Sequence, residues 1–432
     1  MGALHSIYHR KTMLRKIVST LTITILSTSL LVAADWTAFR GPDGNGKSPD
    51  TGLLKKWPQT GPKLLWTVDF IGFGYSSAAI ANDRIYISGN VERDGKELTM
   101  IFCLDKNGKK IWEKDNGPAH ADSRKYKGTR GTPTIDGDFV YDVTALGETA
   151  CFDAKTGEKI WRRNIMTDYD APQPYWLLGN APLVEGDTLI LPLGGRKHLA
   201  IALDKKTGKT VWESPPAFEP VGTVTGYTTP YAFDFEGIRI VTVMSDSTTE
   251  GLDTKTGKRL FSISLRNRLV TNCTTPIYHN GHLFLTTGYD YGAGLYKLTK
   301  NANGTITPTE VWFEKRFDNH HGGVILVGDY VYGTTFNGSW GAINFMTGEV
   351  GYLSRSAGKG SAHYADGLIY GLTENDRTVL LIKPEPKKFV ILSQFELPNE
   401  AEGPSWAHPV VINGRLYLRH AEYLYCYDVK GE

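Results

Sequence analysis

One hairpin-like motif recurs along this chain at a nearly constant spacing. Its clearest copy is Cys151–Trp161, where a short apolar run leads to Asp153, then Gly157, then Ile160-Trp161. Asp can hydrogen-bond its own backbone two residues on, and Gly readily takes the positive φ that ends a tight turn. The motif therefore predicts strand, turn, strand. Other copies begin at Cys103, Ala202 and Gly251, and weaker ones at Tyr296, Ala342, Ile382 and Cys426.

The spacing of these copies constrains the fold more than any other feature. The spacing is 48 residues from Asp105 to Asp153, 51 to Asp204 and 49 to Asp253. A repeat of this length that contains several strands is typical of a propeller or a similar array.

A second motif keeps step with the first. In Gly131–Tyr141 a strand, an Asp-Gly turn at Asp136-Gly137 and another strand follow one another. Each unit thus holds two hairpins, and the two motifs together give eight units. We predict an all-β fold, an eight-bladed β-propeller of four-stranded antiparallel blades. Related copies that keep the proline found at Pro133 run over 181–190, 229–241, 275–284 and 408–417. Copies without this proline run over 77–86, 323–332 and 361–370.

The last unit is cut short by the C-terminus, and a segment near the start of the chain can complete it. Pro62–Val68 has the pattern of a final strand. Pairing it with the strand around Tyr425–Tyr427 would close the ring and remove two exposed strand edges. We therefore expect the last blade to be closed by an N-terminal strand.

Tryptophans mark one position of the repeat. Trp112, Trp161, Trp212 and Trp312 share a register, Trp66 supplies it for the closing unit, and Phe261 and Tyr352 replace it elsewhere. A large aromatic side chain gains most from burial. We expect these rings to pack between adjacent blades, and we regard a binding role as a poor alternative because the rings are spread around the circumference.

Residues 1–34 have the pattern of a signal peptide, with Met13 as the expected start. Basic residues at 15–16 precede an apolar stretch at 17–31, and Val32-Ala33-Ala34 offers small residues for cleavage. The alternative is an uncleaved membrane anchor. With a cleaved signal peptide, residues 35–432 form the exported propeller. We expect it to be periplasmic or extracellular, without a membrane span, and a monomer. The net charge of +2 gives no electrostatic case for nucleic acid.

Four cysteines in an exported chain raise the question of disulfides. Cys103, Cys151 and Cys426 occupy the same register in three units, where Ala202, Gly251 and Ala342 stand in others. Equivalent positions on different blades are too far apart for a bond that needs Cα atoms within about 7 Å. We expect free, buried thiols.

The Asp-x-x-Thr-Gly-x-x-x-Trp repeat resembles the pyrroloquinoline quinone (PQQ) repeat, whose tryptophans dock the blades of eight-bladed propellers. The resemblance covers nearly all of residues 35–432, and Trp36–Gly46 looks like the start of exported PQQ-like propellers of bacteria. It implies the fold strongly and function weakly. That superfamily contains quinone-dependent alcohol and sugar dehydrogenases, and also non-enzymatic scaffolds such as the outer-membrane assembly lipoprotein.

A quinone enzyme would need cations for three carboxylates, a stacking aromatic ring, oxygen ligands for Ca²⁺ and a carboxylate base. In a propeller these come from segments just before each first strand, which converge on the axis. By resemblance, Arg130, Lys359 and Trp406 look like the cofactor-contacting residues. Trp176 and Asn272 complete this candidate axial site; catalytic residues are not assigned.

The chain also departs from the enzymes. It has no adjacent Cys-Cys pair and no Cys-x-x-Cys-His, and the aligned axial positions contain no Asp or Glu. Asp318 and Glu402 are the nearest carboxylates. Two hypotheses follow. The preferred one is a non-enzymatic binding or scaffolding module, with a protein or small-molecule ligand on a propeller face. The alternative is an oxidoreductase that binds PQQ with Ca²⁺.

Four histidines fall close to matching positions in three consecutive units: His320, His321, His363 and His408. Imidazole is a ligand for transition metals, so convergence on a metal is one interpretation. We favour the other, in which they form the polar lining of the channel mouth.

Overall fold

Eight four-stranded antiparallel sheets make up the part of the chain that the structure, a computed structural model, describes: residues 34–120, 126–218, 224–398 and 401–431. Each sheet is one blade; seven blades are built from four strands consecutive in the chain, and the eighth takes its fourth strand from near the N-terminus. The predicted eight-bladed propeller is confirmed. Of the expected signal segment, residues 1–34, all but Ala34 lies outside the described residues.

The first four blades occupy residues 79–264. Blade 1 contains β2 (Ala79–Ala81), β3 (Arg84–Arg93), β4 (Lys96–Asp105) and β5 (Lys110–Pro118); blade 2 contains β6 (Thr134–Asp136), β7 (Phe139–Val143), β8 (Glu148–Asp153) and β9 (Lys159–Asn164), followed by the short helix α1 (Ile165–Asp168). Blade 3 contains β10 (Leu183–Glu185), β11 (Thr188–Pro192), β12 (Ala200–Asp204) and β13 (Thr210–Glu213); blade 4 contains β14 (Tyr231–Phe235), β15 (Ile238–Met244), β16 (Thr248–Asp253) and β17 (Arg259–Ser264).

The other four blades follow in the same order. Blade 5 contains β18 (Ile277–His279), β19 (His282–Thr287), β20 (Gly292–Lys300) and β21 (Ile306–Glu314); blade 6 contains β22 (Asn319–Val327), β23 (Tyr330–Thr335), β24 (Trp340–Asn344) and β25 (Val350–Ser354). Blade 7 contains β26 (Gly360–Ala365), β27 (Leu368–Thr373), β28 (Thr378–Lys383) and β29 (Val390–Glu396); blade 8 contains β30 (Val410–Ile412), β31 (Arg415–His420), β32 (Tyr423–Asp428) and, as its fourth strand, β1 (Lys63–Val68).

The pairing of β1 with β32 closes the ring as predicted. Trp66 lies opposite Cys426, and Lys63 lies opposite Asp428. The hydrophobic cores lie between neighbouring blades, and one of them joins Ile85 of blade 1 to Tyr417 of blade 8. Closure therefore buries apolar surface on both sides of every blade.

The first strands of successive blades contact one another and so surround the central channel. Loops between blades, such as 169–182, lie on one face with the turns between second and third strands; we call it the inter-blade face. The opposite face, the hairpin face, carries the Asp-Gly turns such as 136–139 and the turns between third and fourth strands such as 153–159. This alternation follows from antiparallel pairing.

The Asp of the main repeat organises the turn on the hairpin face. Asp153 Oδ1 accepts hydrogen bonds from Lys155 N at 3.0 Å, Thr156 N at 2.7 Å and the Thr156 hydroxyl at 2.9 Å. These bonds, the backbone bond from Thr156 first, hold the pKa of Asp153 below its usual value. Asp204 and Asp253 make the same contacts in blades 3 and 4.

The repeat tryptophans reach into the next blade. Trp112 Nε1 donates to Ala154 O at 3.2 Å, and Trp212 Nε1 donates to Thr254 O at 2.9 Å. Trp66, Trp161 and Trp312 make equivalent bonds. The Trp212 ring also covers Gly257, where φ is +68° and a Cβ atom would lie 2.5 Å from the ring. The repeat glycine thus serves both the turn and the contact between blades.

Residues 36–48 run along the inner strands, and residues 50–57 continue onto the hairpin turn at Asp366 and the end of blade 8. Trp36 N and O bond Ile80, Thr37 O accepts from Ile135 N, and Ser48 N donates to Tyr364 O. The Arg40 guanidinium is buried and donates to Gly44 O, Asn45 O and Val324 O at 2.5–3.3 Å. This segment therefore ties blades 1, 2, 6 and 7 together.

All four cysteines are free, as predicted; three are buried and Cys273 is partly exposed. Within the described ranges, the structure contains no helix long and apolar enough to cross a membrane.

Asp142 in β7 is a fully buried carboxylate between blades 1 and 2. Ser88 Oγ donates to it at 2.6 Å and Asn116 Nδ2 at 2.9 Å, and no cation lies beside it among the described residues. Burial raises the pKa of Asp142 to about 6, against the lowering effect of these two bonds. The ionised form is therefore costly in the folded protein.

We expect Asp142→Asn to change how stability depends on pH. The pKa of Asp142 in the folded protein lies above the unfolded value of 3.8. The free energy that this group contributes to folding is therefore fully present below pH 3.8 and is lost as the pH rises through 6. Asn cannot ionise. The free energy of unfolding of the variant, relative to that of the wild type, should therefore rise by roughly 2–3 kcal/mol from pH 4 to pH 7. Urea unfolding at both pH values measures this. The same difference in unfolding free energy between variant and wild type at pH 4 and at pH 7 would contradict this expectation.

Candidate functional site

Aromatic and charged side chains gather at the axis on the inter-blade face. Lys359 directly precedes β26, Arg130 and Trp406 lie a few residues before β6 and β30, and His320-His321 belong to β22. All these residues lie at or just before the start of a first strand. Because the first strands surround the channel, their side chains meet at the axis. Arg130, Trp176, Lys359 and Trp406 of the predicted site lie in or beside this group, which we call the axial cluster.

Aromatic rings in tilted contact form one wall of the axial cluster. The ring centroid of Trp406 lies 4.8 Å from those of Tyr75 and Tyr126, and Tyr126 lies 5.8 Å from Trp176. The Arg130 guanidinium lies 5.9 Å from the Tyr75 ring centroid. The Arg130 side chain also donates to Tyr126 O at 2.7 Å. The predicted aromatic and cationic residues are thus neighbours, with Tyr75 and Tyr126 between them.

A carboxylate that the sequence reasoning missed, Glu374, lies at the centre of the cluster. Lys359 Nζ lies 2.8 Å from Glu374 Oε2, and Trp406 Nε1 donates to Oε1 at 2.7 Å. His321 Nε2 lies 3.3 Å from the same Oε1. Both carboxylate oxygens therefore already have donors.

Glu374 was missed because only segments before first strands were aligned. It follows β27, in a turn between second and third strands, and such turns lie on the same face. Asp318 and Glu402, the expected nearest carboxylates, do not take this place. Asp318 is buried and accepts from Asp290 N and Phe336 N, whereas Glu402 is exposed. Attention to both kinds of loop would have found Glu374.

The charges in the cluster are mutually compensating. Burial alone would raise the pKa of Glu374, but the His321 hydrogen bond and the Lys359 charge outweigh burial and hold that pKa well below its usual range. Burial lowers the pKa of His320 and of His321. Burial also raises the pKa of the nearby Cys273 thiol to about 12, so this thiol stays protonated and unreactive at neutral pH.

The four candidate histidines separate into two groups. His320 and His321 belong to the axial cluster, where His320 Nε2 lies 2.9 Å from the Tyr289 hydroxyl and Lys359 Nζ donates to His320 Nδ1 at 3.3 Å. His363 instead accepts from Val411 N at 3.2 Å, and His408 Nε2 donates to His321 O at 2.9 Å. Across the described residues, no three His, Cys, Asp or Glu side chains are placed to hold a metal ion.

Asn272, the remaining predicted site residue, lies in the junction of blades 4 and 5. Its side chain is fully buried, its Nδ2 donates to Ser245 O at 3.0 Å and its Oδ1 accepts from Asn267 Nδ2 at 3.4 Å. Its amide is used within the fold.

Exposed apolar side chains on the inter-blade face occupy five successive loops, from the one between blades 8 and 1 to the one between blades 4 and 5. We call this set the apolar arc: Phe70 (37% exposed), Tyr126 (42%), Tyr175 (67%), Phe218 (63%) and Leu269 (48%). On the hairpin face, among the described residues, only Met346 is a comparably exposed large apolar side chain; the others lie on fourth strands. The two faces therefore differ in character.

Comparisons with known proteins agree with this architecture. The sequence model of the family described as outer membrane protein assembly factor BamB matches residues 48–173 and 147–390. BamB from Moraxella catarrhalis aligns with a TM-score of 0.60 and 16% identity, over 85% of this chain and 99% of that chain. The computationally designed Ika8 protein aligns with a TM-score of 0.57 and 9% identity, over 85% and 100%.

A europium-containing methanol dehydrogenase aligns with a TM-score of only 0.46 and 12% identity, over 81% of this chain and 89% of that chain; that score supports no inference about function. No curated protein sequence matches the chain. The first two structural likenesses show a shared fold, and the family match extends over most of the sequence. The chain belongs to the BamB family of PQQ-like β-propellers.

Proposed function

We propose that this chain is an exported, non-catalytic propeller that binds a protein partner through its inter-blade face. The observation that carries the proposal is the apolar arc, because exposed large apolar side chains gathered on one face of a protein mark interaction sites. The family supports it, since its description names an assembly factor for outer membrane proteins. The signal-like segment at residues 1–34 supports export to the periplasm or beyond.

Site-specific photocrosslinking tests the partner-binding face. We expect benzoylphenylalanine, a photoreactive residue, to crosslink to one and the same partner protein when it replaces either Tyr175 or Phe218 in cells that naturally produce this protein. Met346, at 48% exposure on the hairpin face, is the matched control position. An adduct of equal strength at Met346, or none at Tyr175 and Phe218, would refute the assignment of the face.

The geometry of Glu374 argues against the alternative function, a dehydrogenase that binds PQQ with Ca²⁺. Calcium takes six to eight oxygen ligands, including carboxylates. The carboxylate of the axial cluster is already neutralised by Lys359 and hydrogen-bonded by Trp406, and the Asn272 amide faces Ser245 and Asn267. The residues present therefore do not fit the calcium and its quinone.

We expect residues 35–432 to show neither binding heat nor a change in absorbance when titrated with PQQ and Ca²⁺. Lys359 already pairs with Glu374, so neither the carboxylate nor the ammonium group is available to Ca²⁺ or to the quinone. Calorimetry and absorbance measure this directly. Micromolar binding that is lost in Arg130→Ala and in Lys359→Ala would instead support the dehydrogenase.

A further inference from the structure

The first strand of every blade presents one residue whose backbone groups point toward the channel. In each first hairpin the residues beside the turn pair with each other, as Glu185 pairs with Thr188. Because the bonding pattern of antiparallel strands alternates, the residue before them turns its N–H and C=O away from the sheet. In the longer hairpins of blades 4 and 6 that residue is Asp234 or Leu326, and Ala232 and Val324, two residues earlier, point the same way. We give the name inner-edge residues to one such residue per blade, in blades 1 to 8: Ile80, Ile135, Val184, Ala232, Tyr278, Val324, Tyr364 and Val411.

Six of these eight positions have a hydrogen-bond partner in the channel. Backbone groups of residues 36–48 bond three of them: Trp36 bonds Ile80, Thr37 bonds Ile135, and Gly46 and Ser48 bond Tyr364. The others are bonded by side chains. Arg40 donates to Val324 O, His363 accepts from Val411 N, and the Tyr231 hydroxyl accepts from Tyr278 N. The chain thus occupies three of its own inner edges with backbone groups and three with side chains.

The two remaining positions, Val184 of blade 3 and Ala232 of blade 4, receive no hydrogen bond from outside their blades by any described residue. Both line a cavity of about 410 Å³ that opens near the hairpin face, between residues 37–44 and the first strands of blades 2 to 4. The two unused inner edges and the cavity therefore coincide.

We propose that this cavity binds an extended peptide segment of a partner protein, which adds backbone hydrogen bonds to Val184 and Ala232. Unpaired strand edges accept an extra strand in many peptide-recognition domains. In this chain, isolated backbone bonds from Trp36, Thr37, Gly46 and Ser48 already occupy such edges on blades 1, 2 and 7. The cavity lies toward the face opposite the apolar arc, so the inference goes beyond the proposed function and does not depend on it.

Charges around the cavity favour a basic or neutral peptide over an acidic one. Its lining includes the carboxylates of Asp43, Asp136 and Glu185 and one guanidinium, that of Arg239, and Lys205 Nζ lies 2.7 Å from Asp136. Arg239 is shared between Glu185 at 3.0 Å and Asp234 at 3.1 Å. Asp43 has no ion-pair partner in the described part of the chain. A lysine side chain or an amino terminus would complement Asp43.

Three capped hexapeptides of alternating valine and threonine test the proposal. One carries a central lysine, one is the same peptide N-methylated at alternate residues, and one carries glutamate in place of lysine. At about 1 mM the lysine peptide should slow hydrogen exchange at the amides of Val184 and Ala232 in the intact protein. N-methylation, which removes two backbone bonds, should weaken binding about tenfold. The glutamate peptide should bind more weakly than the lysine peptide.

Two variants at one position supply the matched comparison. Ala232→Pro removes the inner-edge N–H, which the sheet itself does not use, whereas Ala232→Val keeps it. We expect the proline variant to lose the lysine peptide and the valine variant to retain it, with both unfolding at similar urea concentrations. Equal binding of the N-methylated peptide, equal binding to the Ala232→Pro protein when it is folded, or no protection at Val184 and Ala232 would each overturn the proposal.

Discussion

Adding one methyl group at Gly323 is expected to destabilise the protein by about 3–5 kcal/mol. The φ of Gly323 is +72°, and a Cβ atom there would lie 2.0 Å from Arg40 Nη1 and 2.8 Å from His408 Cε1. The Arg40 side chain is 4% exposed and hydrogen-bonded to three carbonyl groups, so it cannot retreat without losing bonds to a buried charge. The strain therefore falls on the contact between residues 40–46 and blade 6.

Urea unfolding of Gly323→Ala and of Gly328→Ala separates this contact from the effect of φ alone. Gly328 lies in the same blade at φ +56°, and a Cβ atom there would meet no neighbour within 4 Å, so its alanine variant should lose only about 1 kcal/mol. In a double-mutant cycle, Arg40→Met should make the additional alanine at Gly323 much less damaging. Similar losses at Gly323 and Gly328 would show that the guanidinium is not held as described.

The second large effect is expected at Trp212, whose replacement by alanine should cost about 3–5 kcal/mol. The ring is 8% exposed, packs with Ile190 and Val241 and covers Gly257 of the next blade. Its Nε1 donates to Thr254 O at 2.9 Å. Removing it leaves a cavity between blades 3 and 4 and a carbonyl without its donor.

Val211→Ala is the control for Trp212→Ala, because Val211 precedes it in the same strand and is 52% exposed. Surface substitutions of this kind usually change stability by less than about 0.5 kcal/mol. Denaturant midpoints of the two variants provide the comparison. Equal midpoints would mean that the Trp212 ring contributes nothing beyond its strand position, and the structural role expected for the repeat tryptophans would have to be abandoned.

In the axial cluster, groups that a ligand would need are used within the fold. Arg130, Lys359 and Trp406 lie together at the axis, yet Lys359 and Trp406 are both bonded to Glu374. Such a network joins blades 7 and 8 and uses the groups that a ligand would need. The apolar arc, in contrast, leaves its side chains exposed, which is why we assign binding to that surface.

The repeated motif alone determined the blade, its four strands and the number of blades. Asp153 and Gly157 act within a few residues of their own positions, so their turn can be read locally. The closing strand could be predicted as well, because an incomplete eighth unit and an unassigned strand at Pro62–Val68 left one pairing. Equivalent registers likewise predicted free cysteines.

The tertiary structure alone decided which side chains share a site. Glu374 contacts Lys359 and Trp406 from a turn between second and third strands, whereas Lys359 and Trp406 lie in loops before first strands. The Asn272 amide is hydrogen-bonded within the junction of its own blades. Residues 34–57 carry no repeat, so only the ring itself shows which inner edges they cover and that Val184 and Ala232 stay uncovered. Turns and strand registers depend on neighbours in sequence, whereas these contacts depend on loops from different blades meeting at one axis.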